Sequence, residues 1–189
     1  MNQKIKDYFD KIADRYDHPF NPRIDQLLDN LDFTNAKRIL DLGAGQGVIS
    51  SRLYERSGAE IIAMDLSKRM CEIAKEHNSN PHIHIVNADF YDYEDDQFDM
   101  IICFDAYPHF LNDKEFAKKA NQLLRSGGTL AILHDIGRGE LNVHHQKTAG
   151  NVSRLLKEPA LEFAIFQDYF TPLILKEDEN SYRIIAKKK

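Results

Sequence analysis

Short β-type runs alternate with helical segments over most of this 189-residue chain. The runs are KRILDL, AEIIAMD, HIHIVNAD, FDMIICF and TLAILHD, and segments with helical periodicity such as GVISSRLYERSG, SKRMCEIAKEH and DKEFAKKANQLLRSGG separate them. Strands that alternate with helices of about ten to fifteen residues form a parallel sheet covered on both faces. The sequence therefore predicts a doubly wound α/β fold.

The two ends of the chain depart from this central pattern. YFDKIADRY and NPRIDQLLDNL have helical spacing, so residues 1–35 are interpreted as a helical lid segment. GRGELNVHHQKTAGNVSRLL is read as a helix running into a loop and KEPALEFAIFQDYF as another helix, with residues 137–159 as a lid insertion. TPLILKED and ENSYRIIAKK flank the turn-prone EDENS, which predicts an antiparallel hairpin at the sheet edge. We expect residues 1–189 to form a single domain, because the length is too short for two ordinary ones.

Composition and charge exclude several classes of function. Hydrophobic residues make up 42% of the chain and charged residues 29%, as in globular proteins. The net charge of -5 argues against a nucleic-acid partner, since such proteins carry a basic face that neutralises phosphates. The amino-terminal stretch has no apolar signal core, and no stretch approaches the roughly 20 apolar residues that span a bilayer. We therefore expect a cytoplasmic protein without a membrane partner, with Cys71 and Cys103 as free buried thiols.

The segment ILDLGAGQGVIS places Gly43, Gly45 and Gly47 directly after the first strand. In open α/β sheets this turn holds ligands, and glycine allows positive φ and close approach of a ligand. The spacing differs from the dinucleotide pattern G-x-G-x-x-G, because Val48 occupies the final glycine position, and no P-loop lysine is present. Asp41 would repel a pyrophosphate and attract an ammonium group. The loop therefore predicts a positively charged ligand, with a tight turn alone as the alternative.

Two further acids follow the next strands. Asp65 ends the second strand, where a carboxylate can accept both hydroxyls of a ribose. Its alternative role is to cap the helix that starts near Ser67. Asp89 follows the third strand, where it can accept a hydrogen bond from an adenine amine while Phe90 packs beside the ring. An ordinary turn acid is the alternative for Asp89.

Five segments, ILDLGAGQG, AMDLS, NADF, FDMIICFDAYPHF and LLRSGGTLAIL, resemble in order and spacing the motifs of the class I S-adenosylmethionine-dependent methyltransferases. The resemblance covers roughly residues 1 to 187. It implies a Rossmann-like, seven-stranded, mostly parallel sheet with an antiparallel last strand and helices on both faces. It also implies S-adenosylmethionine as cofactor and S-adenosylhomocysteine as its product.

The same resemblance assigns positions to the cofactor. The methionine end would be held by Asp41, Gly43, Ala44, Gly45 and Gly47, and the ribose by Asp65. Around the adenine the resemblance places Leu66, Ala88, Asp89 and Phe90. Phe104 would approach the methionine part, and Tyr16 resembles a tyrosine that closes over the cofactor.

The acceptor side of the reaction has weaker signals. A sulfonium already activates its methyl group, so the protein must mainly align a nucleophile and exclude water. Side chains that could move a proton follow strands four and five, namely Asp105, Tyr107, His109, His134, Asp135, His144 and His145. We select His109 and His134 as catalytic residues, since histidine titrates near neutrality, with a structural hydrogen-bonding role as the alternative for each. No metal site is expected, because the spacing matches no compact zinc motif.

The class of methyl acceptor is inferred from one departure from a known sequence signature and from the net charge of the chain. DAYPHF differs from the N-P-P-Y or D-P-P-Y signature of methyltransferases that modify nitrogens in proteins and nucleic acids. With the acidic net charge, this favours a small-molecule substrate and a monomer or homodimer. Two alternatives stay open, namely a non-catalytic module that binds S-adenosylmethionine or a partner, and an NAD-dependent reductase.

Overall fold

A computed structural model describes residues 2–16, 21–95 and 97–189. Seven strands form one sheet, namely β1 (Arg38–Leu42), β2 (Glu60–Asp65), β3 (Ile83–Asn87), β4 (Phe98–Phe104), β5 (Leu124–His134), β6 (Phe170–Asp178) and β7 (Ser181–Lys188). The helices are α1 (Asn2–Ile12), α2 (Arg23–Leu28), α3 (Ser50–Ser57), α4 (Lys68–His77), α5 (Asp113–Leu123), α6 (Arg138–Thr148) and α7 (Pro159–Phe163). Two 3-10 turns span Ala13–Arg15 and Tyr107–His109.

The strand order is β3-β2-β1-β4-β5-β7-β6. Strands β1 to β5 pair in parallel, and β7 lies antiparallel between β5 and β6. This confirms the predicted doubly wound sheet, its reversed last strand and the terminal hairpin. The order turns back at β1, and in open α/β sheets ligands bind outside the carboxyl ends of the strands at such a switch point.

The sheet buries both of its faces, because alternate residues of each central strand enter different hydrophobic clusters. In β1, Leu40 and Leu42 pack in a cluster that also takes residues from α5 and α7. Ile39 enters the opposite cluster, which includes residues of α2 and α3. Such two-sided burial explains why the strands are nearly continuous apolar runs.

The structure corrects two predicted helix boundaries. Helix α5 ends at Leu123, and the LRSGG segment belongs to β5, where Phe98 pairs with Leu124 and the register then shifts. Two consecutive glycines disfavour a helical continuation. Helix α7 ends at Phe163, and the AIFQDY segment that follows continues as turns with i to i+3 hydrogen bonds, such as Phe166 N–H to Phe163 O.

Cys71 and Cys103 are free and buried, as the sequence predicts. Over the described ranges, every helix is too short or too polar to cross a membrane.

Candidate functional site

An open cleft of about 980 Å³ lies at the carboxyl ends of β1, β2, β3 and β4. Eleven of the twelve residues predicted to contact a cofactor line it, namely Tyr16, Asp41, Gly43, Ala44, Gly45, Asp65, Leu66, Ala88, Asp89, Phe90 and Phe104. The twelfth, Gly47, lies outside the lining and shapes the turn into α3, where its N–H donates to Ala44 O.

Two glycines of the loop after β1 have positive φ angles but different surroundings. Gly43 has a φ of 73°, and a Cβ there would lie 2.5 Å from the Cβ of Ala106. Gly45 has a φ of 55°, and a Cβ there would have no heavy atom within 4 Å. Gly43 therefore permits close packing of two loops, whereas Gly45 leaves open space at the cleft wall.

Asp41 is 1% exposed, yet it belongs to the cleft lining. Its Oδ2 accepts a hydrogen bond from Ser50 Oγ at 2.6 Å, which fixes the carboxyl group beneath the glycine loop. Burial raises the pKa of Asp41 to about 7, against the opposing effect of the Ser50 hydrogen bond. A cation near this carboxyl group would favour its ionised form.

The carboxylate of Asp65 joins two backbone segments at the tip of β2. Oδ2 accepts from Gly45 N at 2.8 Å, and Oδ1 accepts from Ser67 N at 2.8 Å. Burial raises the pKa of Asp65 to about 6, although both hydrogen bonds lower it. The cap of α4 is Ser67, whose Oγ accepts from Met70 N. Each Asp65 oxygen retains capacity to accept one further donor.

The side of the cleft beyond β3 combines one acid with apolar surface. Asp89 accepts a hydrogen bond from Tyr91 N at 3.0 Å and another from the side-chain amide of Asn2 in α1. Phe90 is 3% exposed and packs against the ring of Phe110. Leu66 packs beside α1. Asp89 therefore holds the start of α1 against the cleft.

The amino-terminal segment forms the outer wall. Asn2, Ile5 and Phe9 of α1 line the cleft, and the Gln46 side-chain amide donates to Ala13 O and Tyr16 O, each at 2.9 Å. Asn2 and Gln46 were not predicted as site residues, and neither has a local sequence signal. Phe9 did have a local sequence signal, because it belongs to the apolar stripe of α1 and such a stripe packs against another surface.

A second cavity of about 680 Å³ adjoins the cleft. The two share Phe9, Tyr16, Asp105 and His109, and the remaining lining residues of the second cavity are Tyr8, Ile12, Asp135, Ile136, Leu141, His144, His145, Thr148 and Ala149. Burial, together with the negative charges of Asp105, Asp65 and Asp135, raises the pKa of Tyr16 to about 12.

The two histidines selected from the sequence lie in different environments. His109 lines both cavities, its Nδ1 lies 2.9 Å from Val152 O, and burial lowers its pKa to about 4. His134 is fully buried and belongs to neither lining. Its Nδ1 lies 3.2 Å from Asp105 Oδ1, without hydrogen-bond geometry. Tyr107, another sequence candidate, is also fully buried and donates to Glu162.

Within the described part of the chain, no group of three or more His, Cys, Asp and Glu side chains is arranged to hold a metal ion.

The fold, the glycine turn and the acids at successive strand ends define the architecture of a class I methyltransferase domain.

Comparisons with known proteins agree with this class. Residues 40–132 match the family described as "Methyltransferase domain". The chain is similar to methyltransferase GfsG of Streptomyces halstedii (27% identity; 62% of this chain and 45% of the relative). It is also similar to an uncharacterized methyltransferase of Schizosaccharomyces pombe (30% identity; 69% of this chain and 51% of the relative). The chain thus spans about half the length of these curated relatives.

Among solved structures, N-methyltransferase NodS of Bradyrhizobium japonicum in complex with S-adenosylhomocysteine is similar, with a TM-score of 0.68. The alignment has 16% identity and covers 96% of this chain and 98% of NodS. Residues 40–132 thus match a methyltransferase family, and the described chain has the fold of the class I S-adenosylmethionine-dependent methyltransferases.

Proposed function

We propose that this chain transfers the methyl group of S-adenosylmethionine to a small-molecule acceptor. The observation that carries the proposal is the double role of Asp65, which holds the glycine loop through Gly45 and belongs to the cleft lining. The methyltransferase family match and the S-adenosylhomocysteine complex of NodS support it.

The chemistry of the lining fits this cofactor. The methionine ammonium and the sulfonium are cations, and the described lining contains Asp41, Asp65, Asp89 and Asp105 but neither lysine nor arginine. A pyrophosphate would meet repulsion at the same acids, which disfavours the NAD alternative. Gly45 has no side chain and borders open space, which leaves room for the methionine part of the cofactor.

Each wall would then hold one part of the cofactor. Asp65 accepts the ribose hydroxyls, since each of its oxygens has one backbone donor and can accept another. Leu66, Ala88 and Phe90 provide apolar surface for the adenine, and Asp89 accepts from its amine. On the opposite side, the residues that contact the methionine part are Asp41, Gly43, Ala44, Gly45 and Phe104. Gly47 would act indirectly through the turn into α3.

When bound, the cofactor supplies an electrophilic methyl group. The protein's own task is to place the acceptor in line and to keep water out. Helix α1 and Tyr16 cover the cleft from the amino-terminal side, and α6 contributes to the second cavity. We propose that residues 1–35 and 137–159 are lids and that His109, rather than the enclosed His134, contacts the acceptor.

Incubation with methyl-labelled S-adenosylmethionine and a metabolite extract tests the function. We expect a labelled small molecule, and little product from an Asp65→Ala variant. Cofactor binding without any labelled product would support the alternative of a non-catalytic module. Absence of cofactor binding would reject both.

A further inference from the structure

The second cavity lies where an acceptor must approach the cofactor cleft. Its boundary with the cleft is formed by Phe9, Tyr16, Asp105 and His109. A molecule in this cavity would reach the methyl group past Asp105, which follows β4 directly. The lining of the second cavity indicates the chemical class of that molecule, an inference that rests on the proposed function.

The charge of the second cavity selects against anions. Asp105 and Asp135 both line it, and the part of its lining that the structure describes contains no lysine or arginine. Asp135 N–H donates to Asp105 Oδ1 at 3.2 Å, so the two acids lie side by side. A carboxylate or phosphate on the acceptor would be repelled here, whereas a cation would be attracted. Arg23 donates to the backbone oxygen of Asp135 at 3.3 Å but does not line the cavity, so a free amino acid would still place its carboxylate beside the two acids.

A buried histidine in the same lining has one ring nitrogen without a hydrogen-bond partner in the described part of the chain. His145 is 5% exposed, and its Nδ1 has no hydrogen-bond partner among the described residues. Burial, followed by the influence of His109, lowers the pKa of His145 to about 4, so the ring is neutral at pH 7. An unpaired buried ring nitrogen costs free energy that a ligand's hydrogen bond would remove.

His109 adds a further acceptor. Its Nδ1 lies 2.9 Å from the carbonyl oxygen of Val152, which can only accept, so Nδ1 carries the proton. In the neutral ring Nε2 therefore keeps its lone pair. The cavity wall thus combines carboxylate oxygens with imidazole nitrogens, a set that matches a ligand rich in N–H donors.

Aromatic rings complete the lining. Tyr8, Phe9 and Tyr16 all contribute to it, and the rings of Tyr8 and Phe9 meet edge to face at 5.2 Å. Aromatic faces attract cations, and this attraction increases where water is excluded.

We propose that the second cavity binds an amine without an acidic group and that Asp105 holds its nitrogen at the cofactor cleft. The bound ammonium first releases one proton to bulk water. Its nitrogen lone pair then forms the N–C bond as the methyl C–S bond breaks and that electron pair remains on sulfur. The products are an N-methylated ammonium ion and S-adenosylhomocysteine.

Matched probes on the full chain test the ligand class. Isopentyl and phenethyl scaffolds, each as amine, alcohol and carboxylate, are titrated calorimetrically at pH 7.5 into protein saturated with S-adenosylhomocysteine. We expect at least one amine to bind about tenfold or more tighter than its alcohol, and neither carboxylate to bind. Amines that fail to bind, or that bind no tighter than the alcohols or carboxylates, overturn the proposal. Failure of S-adenosylhomocysteine itself to bind would instead reject the proposed function.

An Asp105→Asn variant tests the role of the carboxylate. Asp105 has a φ of 51°, which asparagine tolerates, so the substitution removes charge with little backbone change. We expect amine affinity to fall at least about tenfold and S-adenosylhomocysteine affinity to fall by a smaller factor, because the amine contacts Asp105 directly. The control is Asp168→Asn, an exposed acid outside both linings, which should alter neither affinity. Unchanged amine affinity in Asp105→Asn overturns the role of Asp105, and the wild-type probe comparison stands even where the variant does not fold.

Discussion

The backbone N–H of Gly45 donates to Asp65 Oδ2 at 2.8 Å, which ties the glycine loop after β1 to the tip of β2. The other oxygen of Asp65 accepts from Ser67 N at 2.8 Å, at the start of α4. One carboxylate therefore fixes two segments that border the cleft. Because these segments are already ordered, the protein loses less conformational entropy when a ligand binds this carboxylate.

Substitution of the two loop glycines should separate stability from ligand binding. Both have positive φ, so alanine costs about 1 kcal/mol at either position. At Gly43 the new Cβ also overlaps Ala106 at 2.5 Å, which adds about 1 to 3 kcal/mol. We expect urea unfolding to show a clearly larger loss for Gly43→Ala than for Gly45→Ala. Equal losses would contradict the packing role of Gly43.

The buried carboxyl group of Asp41 should make stability depend on pH. Its pKa is raised from 3.8 to about 7, so the folded chain binds its proton more tightly than the unfolded chain does. This contribution to stability is present at low pH and is lost as pH rises from about 4 to 7, by up to about 1.4 kcal/mol per pH unit. Asp41→Asn keeps an acceptor for Ser50 and cannot ionise. Relative to wild type, it should gain roughly 2 kcal/mol between pH 5 and pH 7.5.

Urea unfolding of both proteins at the two pH values measures this gain. Comparison between the variants cancels the opposite contribution of His109, whose lowered pKa reduces stability on acidification. Asp92→Asn, an exposed acid outside the cleft lining, provides the matched control. A pH-independent difference between Asp41→Asn and wild type would show that burial does not perturb Asp41.

His109 and His134 should respond differently to substitution. His109 lines both cavities, so His109→Asn should reduce kcat at least about tenfold while the cofactor Kd stays within a few fold. His134 is enclosed beside Tyr182, so His134→Asn should chiefly lower the unfolding free energy. Initial rates of labelled methyl transfer and calorimetric Kd values check both. A larger kcat loss for His134→Asn would reverse the assignment, and the exposed His82→Asn serves as control.

The sequence predicted the sheet well, because the spacing of hydrophobic residues and the turn-forming residues between elements are local properties of the chain. The alternation of apolar runs and helices, and the turn between β6 and β7, determined strand type and the reversed hairpin. The junction of α5 and β5 was harder to predict from the sequence. There the LRSGG segment contributes to the sheet only through pairing with β4 across a shifted register, and such pairing is not encoded locally.

The candidate site was predictable where residues follow strand ends. Asp41, Asp65 and Asp89 were identified because parallel strands gather their carboxyl ends at one edge. The contact of Asn2 with Asp89 spans 87 positions and has no sequence signature. The difference between His109 and His134 was also hidden, since both follow apolar runs and only tertiary packing encloses one of them.

Calorimetric titration of S-adenosylhomocysteine into wild-type protein and Asp65→Asn tests the central claim most directly. Asparagine has one side-chain oxygen, so it cannot accept from Gly45, Ser67 and two ribose hydroxyls together. We predict micromolar-range binding by wild type, a loss of at least about tenfold in Asp65→Asn, and no loss in the exposed Asp168→Asn control. Absence of binding to the wild-type chain, or equal binding by Asp65→Asn, would contradict the assignment of this cleft.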